Sequence, residues 1–368
     1  VRNYYTAEYG PDFPTANTEA NAYSEKDYEA SPLSRVLKQA APGEDWALGS
    51  GHEITFDYRA NVASDNVRQF AVDLSFADNT YTPTLVFLKD AQNNDIEYYA
   101  SGELNKTITK DENHDGTSSK LHTTEEFTDK QGRVVLKRTY GPFDVDNNGD
   151  IDTNEQEQPF DTYYVYDDHG NLSYVLSPKM EASTVSLADI NTNIAALGYR
   201  YVYDYRDRLV EKQLPGKDVE YITYNTLDQP VRTHDVNQRA TGEWLFTKYD
   251  AFGRLAYTGK AVEMNGGSPR SRTEVQTDID AVANDPTNEY WVAAGSFNDG
   301  NIDIGYGNTA YPTATVTEVL TVNYYDGYGF DRASEPAPPA TVLGEALDIR
   351  VQGLATGSKV KVLDVTPA

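Results

Sequence analysis

The chain has 368 residues, and its 58 Asp and Glu outnumber 31 Lys and Arg to give a formal net charge of −27. That excess excludes nucleic acid as a partner, since a phosphate-binding surface needs clustered cations, and disfavours anionic membranes for the same reason. With no cysteine there are no disulfides, thiolate nucleophiles or Cys-ligated metals, and no apolar run reaches the roughly 18 residues of a membrane-spanning helix.

Tyrosine stands out, with 28 Tyr and 12 Phe against 2 Met, although hydrophobic residues make up only 39%. Disordered chains are poor in aromatic residues. The composition therefore predicts a mainly β protein whose strand faces carry tyrosines, each with an apolar ring and a polar hydroxyl.

In chain order, residues 1–123 read as an N-terminal β region leading into repeats. The start, Val1-Arg2-Asn3-Tyr4-Tyr5, has neither an initiator Met nor a signal-peptide core, as expected of an internal fragment or a mature form. Asp111-Glu112-Asn113-His114-Asp115-Gly116 opens like a calcium loop but has His122 at the twelfth position. It reads as a polar hairpin turn, with a weak cation site as the alternative.

Residues 124–260 hold the organising feature. Segments 164–172, 201–209, 221–231 and 248–255 share one frame: a Tyr-Asp or Tyr-Asn pair, a short variable stretch, a turn residue and a return strand. A degenerate copy lies at 127–134. The Asp or Asn accepts a backbone N–H just ahead and starts the turn. Gly, or Asp in two copies, supplies the left-handed residue of a three-to-five-residue hairpin loop. Tyr199, Tyr201, Tyr203 and Tyr205 alternate, so the four rings are expected on one face of a single strand.

Within this region Asp144, Asp146, Asn148, Asp150, Asp152 and Glu155 occupy the ligand positions of a twelve-residue EF-hand-type loop, with Gly149 at the sharp turn. Asp150 is expected to bind through its carbonyl and Asp152 through water. The flanks read as strands, so the loop predicts a structural Ca2+ site without a paired EF-hand; an acidic solvated hairpin loop is the alternative. Ser186 followed by apolar Leu187, Ile190, Ile194 and Leu197 and then Gly198 predicts a short helical insertion over 186–198.

Residues 261–335 read as a loop-rich insertion, with a helical turn near 278–283, and a final repeat. Residues 336–368 read as a Pro-rich break followed by an incomplete β segment over 347–365.

Catalytic patterns are thin. The five histidines (His52, His114, His122, His169, His234) form no metalloprotease motif, and neither a nucleophile elbow nor a phosphate loop is present. His169 and His234 read as exposed turn residues and Trp244 as packed. Trp291, beside Tyr290, is the better candidate for an exposed contact.

The Tyr-Asp-x-x-Gly-Arg-Leu frame resembles the YD repeats of the Rhs and teneurin family. Segments 29–43, 225–231 and 244–254 further resemble Rhs-repeat proteins of Bacteroidota, and the likeness runs over roughly residues 23–330. The resemblance implies a spiralling antiparallel β-hairpin ribbon with short helical insertions, part of a shell that encloses or presents a C-terminal toxin or effector. It implies a secreted or cell-surface location, with type IX export, and as partners the remainder of the same polypeptide and the secretion machinery. The reading is thus a non-enzymatic scaffold segment of a Rhs/YD-repeat protein. The alternatives are a surface adhesin or glycan-binding module using 261–312, and a polysaccharide lyase or hydrolase.

Overall fold

A computed structural model of the chain describes residues 23–43, 45–146, 148–281, 288–292, 304–313, 315–332 and 339–346, with positions 4, 7, 8, 297, 336, 348, 350 and 351–362. The fold is mainly antiparallel β with few helices. It divides into two units, residues 1–75, 82–200 and 214–216 in the first and 76–81, 201–213 and 217–368 in the second.

In the first unit lie β1 (Glu25–Tyr28), β2 (Val36–Ala40), β3 (Ile54–Ala60), most of β4 (Phe70–Ala77) and β5 (Thr80–Lys89), β6 (Asp95–Ile96), β7 (Asn105–Lys110), β8 (Thr123–Thr128), β9 (Val134–Gly141), β10 (Gln158–Tyr166), β11 (Leu172–Leu176) and the start of β12 (Gly198–Asp204). Antiparallel pairing runs β1–β2–β3–β7–β8–β9–β10–β11–β12. Side chains of β8, and of β10 from Phe160 onward, alternate between buried and half-buried, the period-two signature of a sheet with one covered face. The core gathers Phe127, Leu136, Tyr163, Val165, Tyr174 and Leu176 with Ile190 and Ile194 of the inserted helix Leu187–Leu197.

The second unit holds the end of β12, then β13 (Leu209–Gln213), β14 (Glu220–Tyr224), β15 (Pro230–His234), β16 (Glu243–Tyr249), β17 (Leu255–Val262), the small pairs β18 (Met264–Asn265) with β19 (Ser268–Pro269) and β21 (Thr341–Val342) with β22 (Glu345–Ala346), β20 (Val316–Tyr325) and β23 (Ala355–Val360). Pairing runs β13–β14–β15–β16–β17–β20–β23. One core cluster surrounds Tyr257, Phe246, Tyr306 and Tyr324, and a second packs Trp244 and Val231 against Val275 and Ile279.

The low hydrophobic content has a structural counterpart. Buried faces carry ion pairs: Arg138–Asp161 at 2.6 Å and Lys106 with Glu125 at 2.9 Å in the first unit, Arg232–Glu263 at 2.6 Å and Lys248–Glu289 at 2.8 Å in the second. Such pairs contribute little net stability, but losing one partner costs about 3–5 kcal/mol because the other charge is stranded.

Several expectations need correction. Gly198 is extended (φ −106°) and opens β12 directly, so it is no left-handed cap. It is glycine-sized space that matters there, since a Cβ would sit 3.1 Å from Met180 Sδ. Tyr205 leaves the tyrosine ladder, lying exposed in the turn after β12. The short turn expected near 278–283 is a ten-residue helix, Arg272–Ala281, with positions 282 and 283 outside the described residues. Its signal was a Ser271/Glu274 capping pair: Ser271 N–H donates to Glu274 Oε2 at 2.8 Å and Glu274 N–H to Ser271 Oγ at 3.3 Å. Positions 337, 338, 347, 349 and 363–365 also lie outside the described residues, and the strand observed near the C-terminus is β23.

Candidate functional site

The repeated turn is built the same way six times among the described residues. At Asp90, Asp129, Asp167, Asp204, Asn225 and Asp250, the side-chain Oδ1 accepts the N–H groups two and four residues on, all at 2.8 to 3.0 Å. The backbone closes the same loop, as in Asp250 N–H to Arg254 O at 2.8 Å and Gly253 N–H to Asp250 O at 3.0 Å. The third residue after the Asp is left-handed each time: Asn93, Gly132, Gly170, Asp207, Asp228 and Gly253, with φ from 58° to 87°. This is the three-residue hairpin loop with its bulge, and register shifts after Val165, Thr223 and Lys248 mark the bulge on the strand side. The Asp90 copy went unseen in the sequence because Lys89 precedes it in place of Tyr; Asp-x-x-Asn-Asn alone is a weak signal.

The return residue is held by the same carboxylate. Arg133 Nε reaches Asp129 Oδ2 at 2.8 Å, Arg208 Nε reaches Asp204 Oδ2 at 2.7 Å, and Arg254 Nε reaches Asp250 Oδ2 at 2.7 Å. Asp129 is held below the ordinary carboxylate range: burial opposes this, and the backbone and side-chain hydrogen bonds of Arg133 outweigh it. Glu29 and Arg35 form a longer version, with Arg35 Nε to Glu29 Oε1 at 2.9 Å and Ser34 left-handed.

The tyrosine belongs to the following hairpin. The guanidinium of Arg133 lies 4.8 Å from the ring of Tyr166, and Tyr166 Oη donates to Val134 O at 3.1 Å. Arg208 and Tyr224 repeat this at 4.9 Å, with a 2.7 Å bond to Leu209 O; Arg254 and Tyr325 at 4.2 Å, with a 3.0 Å bond to Leu255 O; Arg35 and Tyr58 at 4.6 Å, with a 2.9 Å bond to Val36 O. At these four junctions one hairpin is clasped to the next by a cation–π contact and a hydroxyl-to-backbone bond. Where Gln229 replaces the Arg, Tyr249 keeps the bond to Pro230 O at 2.9 Å.

The acidic loop leaves β9 and returns to β10. Carboxylate oxygens of Asp144, Asp146 and Glu155 lie within 4.8 Å of one another. Asp144 accepts from Gly149 N–H at 2.8 Å, with Gly149 at φ 95°. Glu155 is 2% exposed, and its oxygens accept from Val145 N–H (2.7 Å) and Asp152 N–H (3.0 Å), with no cationic side chain paired to it among the described residues. Three converging hard oxygen donors fit a divalent cation. Asn148 Oδ1 is engaged by Asp150 N–H at 2.8 Å, and the carboxylates of Asp150 and Asp152 are exposed outside the cluster. In the 111–122 loop, His114 is buried and ties the turn to itself, through Gly116 N–H at 2.9 Å and Ser119 O at 3.1 Å.

His234 is buried, contrary to the exposed position expected; it bonds Glu243 O at 2.8 Å and stacks on Trp244 at 4.2 Å, and burial lowers its pKa. Trp244 is fully buried. Trp291 is 46% exposed, its ring edge-on to Tyr306 and Tyr324, and Tyr290 beside it is exposed. No helix among the described residues is long and apolar enough to cross a membrane.

Residues 1–60 match a family model described as a domain of unknown function (DUF6443). No curated protein matches the chain. Solved structures similar to it include TcdB2-TccC3 (12% identity, TM-score 0.35, covering 94% of this chain and 15% of that one) and TcdB2-TccC3-TEV (12%, TM-score 0.33, covering 95% and 15%). A Tc holotoxin pore of Photorhabdus luminescens is similar at 12% identity and a TM-score of 0.31, with 94% of this chain and 17% of that one covered. The chain thus spans less than a fifth of the length of the solved chains it resembles.

Proposed function

We propose that this chain is a non-enzymatic scaffold segment of a secreted or cell-surface Rhs/YD-repeat protein, a stretch of wall in a larger shell that encloses or presents a toxin or effector. The observation that carries the reading is the recurrence of one self-closing turn, with an Arg–Tyr clasp at four junctions handing one hairpin to the next. That chemistry is spent on holding strands in register. The acidic loop serves the same end by binding Ca2+ through Asp144, Asp146 and Glu155, which fixes a long excursion between two strands.

The test is protease protection of the natural full-length polypeptide containing this segment, imaged in parallel by electron microscopy. The reading expects a hollow particle and a protected C-terminal cargo that becomes cleavable when Tyr224→Ala and Tyr166→Ala loosen the clasps. A cargo equally cleavable before and after those changes would overturn it. The exposed Tyr290–Trp291 pair supports a second reading, a glycan-binding surface. Glycan-array binding lost in Trp291→Ala would favour that one.

A further inference from the structure

Lys248 occupies an unusual place. It lies on β16 on the buried face, 1% exposed, with its Nζ 5.2 Å from the ring centre of Tyr257 and 5.9 Å from that of Phe246. Two side chains from the segment before β20 meet that nitrogen. Glu289, fully buried, places Oε1 at 2.8 Å, and Asn308 places Oδ1 at 2.5 Å. Both partners are fixed independently of the lysine. Glu289 Oε1 also accepts Ala310 N–H at 2.9 Å and its Oε2 accepts Thr309 N–H at 3.0 Å, while Asn308 Nδ2 donates to Thr313 O at 2.9 Å. Tyr257 Oη stands 3.3 Å from Glu289 Oε1 and 3.4 Å from Asn308 Oδ1.

An ordinary buried ion pair needs one anion for one cation. This one adds a primary carboxamide against the amine, in a site walled by aromatic rings. With a carbonyl bond of about 1.23 Å, Asn308 Cγ lies no more than about 3.7 Å from Nζ, close to the separation from which a held nucleophile reacts. Burial lowers the Lys248 pKa to about 8, which populates the neutral amine near neutral pH.

We propose that the chain cross-links itself here, Lys248 and Asn308 joining through a side-chain isopeptide bond with Glu289 carrying the protons. Glu289 takes a proton from the Lys248 ammonium, and the freed Nζ lone pair attacks Asn308 Cγ to form the C–N bond. The carbonyl electrons move onto Oδ1, beside the Tyr257 hydroxyl and protonated Glu289. The tetrahedral adduct then collapses as the Cγ–Nδ2 bond breaks. Protons released by Nζ pass through Glu289 to Nδ2, which leaves as ammonium. One ammonium and one carboxamide give one secondary amide and one ammonium ion, with Glu289 regenerated and no oxidant or reductant consumed. The product ties β16 covalently to the segment leading into β20, across 60 residues of sequence.

Intact-mass spectrometry of the full 368-residue chain, followed by tryptic mapping, tests this directly. The expected mass is one ammonia below that of the sequence, with cleavage after Lys248 lost and the Lys248 and Asn308 peptides recovered as one branched species. Glu289→Gln should keep the full sequence mass, and Asn308→Asp should lose one water instead of one ammonia. A folded wild-type chain that retains its sequence mass after prolonged incubation overturns the proposal, and that measurement needs no variant to fold. Ammonia loss with Lys248 still cleavable would be succinimide formation at an asparagine, and it overturns the proposal equally.

Discussion

Arg208 and Tyr224 meet across the β13–β14 pair: the guanidinium lies 4.9 Å from the ring centre while the hydroxyl bonds Leu209 O at 2.7 Å. The same Arg is held from behind by Asp204 at 2.6 Å and reaches Asp228 of the next turn at 2.9 Å. One cation thus joins its own turn, the following turn and the following strand. Tyr224→Phe removes only the hydroxyl bond and should cost about 1 kcal/mol. Tyr224→Ala also removes the ring and should cost about 3 kcal/mol or more. Thermal or urea unfolding of the two variants measures the difference.

The turn carboxylates divide into a part that caps backbone and a part that holds Arg. Asp250→Asn keeps the oxygen that accepts Phe252 and Arg254 N–H, as Asn225 does naturally, and loses the charge on Arg254. Asp250→Ala loses both functions and should destabilise by about 1–3 kcal/mol, with the Asn variant losing less. Equal losses in urea titrations would contradict this division.

How much of this was legible in the sequence follows from how local each interaction is. The Asp caps and the left-handed third residue act within five residues, so the frames ending in Gly132, Gly170, Asp207, Asp228 and Gly253 could be read directly. The Arg–Tyr clasp joins residues 16 to 71 positions apart and depends on register, which no local pattern reports. Buried charge was equally hidden: Glu263 and Arg232, 31 positions apart, look like surface residues until the chain folds them together. His234 looked exposed because a turn follows it, whereas stacking on Trp244 decided its place. In the acidic loop the spacing named candidate donors, and the fold brings the carboxylates of Asp144, Asp146 and Glu155 together.

Chelation of divalent ions should lower the melting temperature of a Ca2+-loaded sample, and Asp144→Ala combined with Glu155→Ala should abolish that difference. Differential scanning fluorimetry with and without chelator reads it. A melting curve indifferent to chelation would count against a structural cation at this loop.

Acid should unfold the protein within a definable window. The Arg35 hydrogen bond holds Glu29 at about 2, and the Lys38 hydrogen bond holds Glu53 at about 2, both from an ordinary 4.5. Folded values below unfolded ones mean that the unfolded chain binds more protons. These groups therefore contribute their full stabilisation above about 4.5, and it is lost as pH falls toward about 2. Glu53→Gln should flatten the slope of stability against pH in that window by up to about one proton, as chemical denaturation at stepped pH would reveal.

Gly259 on β17 has no room for a side chain: an added Cβ would lie 2.1 Å from Glu318 O and 2.7 Å from the Phe246 ring. Gly259→Ala should destabilise by about 1–3 kcal/mol, or more if β20 is pushed away. Gly102→Ala meets no neighbour within 4 Å but has φ 81°, so it isolates backbone strain from crowding.

The division of labour between turn and clasp has an evolutionary consequence. Each loop is closed by groups it carries itself, and each clasped junction needs only one Arg behind and one Tyr ahead. Duplicating a two-strand module in frame therefore supplies a complete donor and a complete acceptor, leaving older junctions untouched. Such a gene can grow or shrink in steps of one module, and selection can tune the reach of the protein without redesigning any single residue contact.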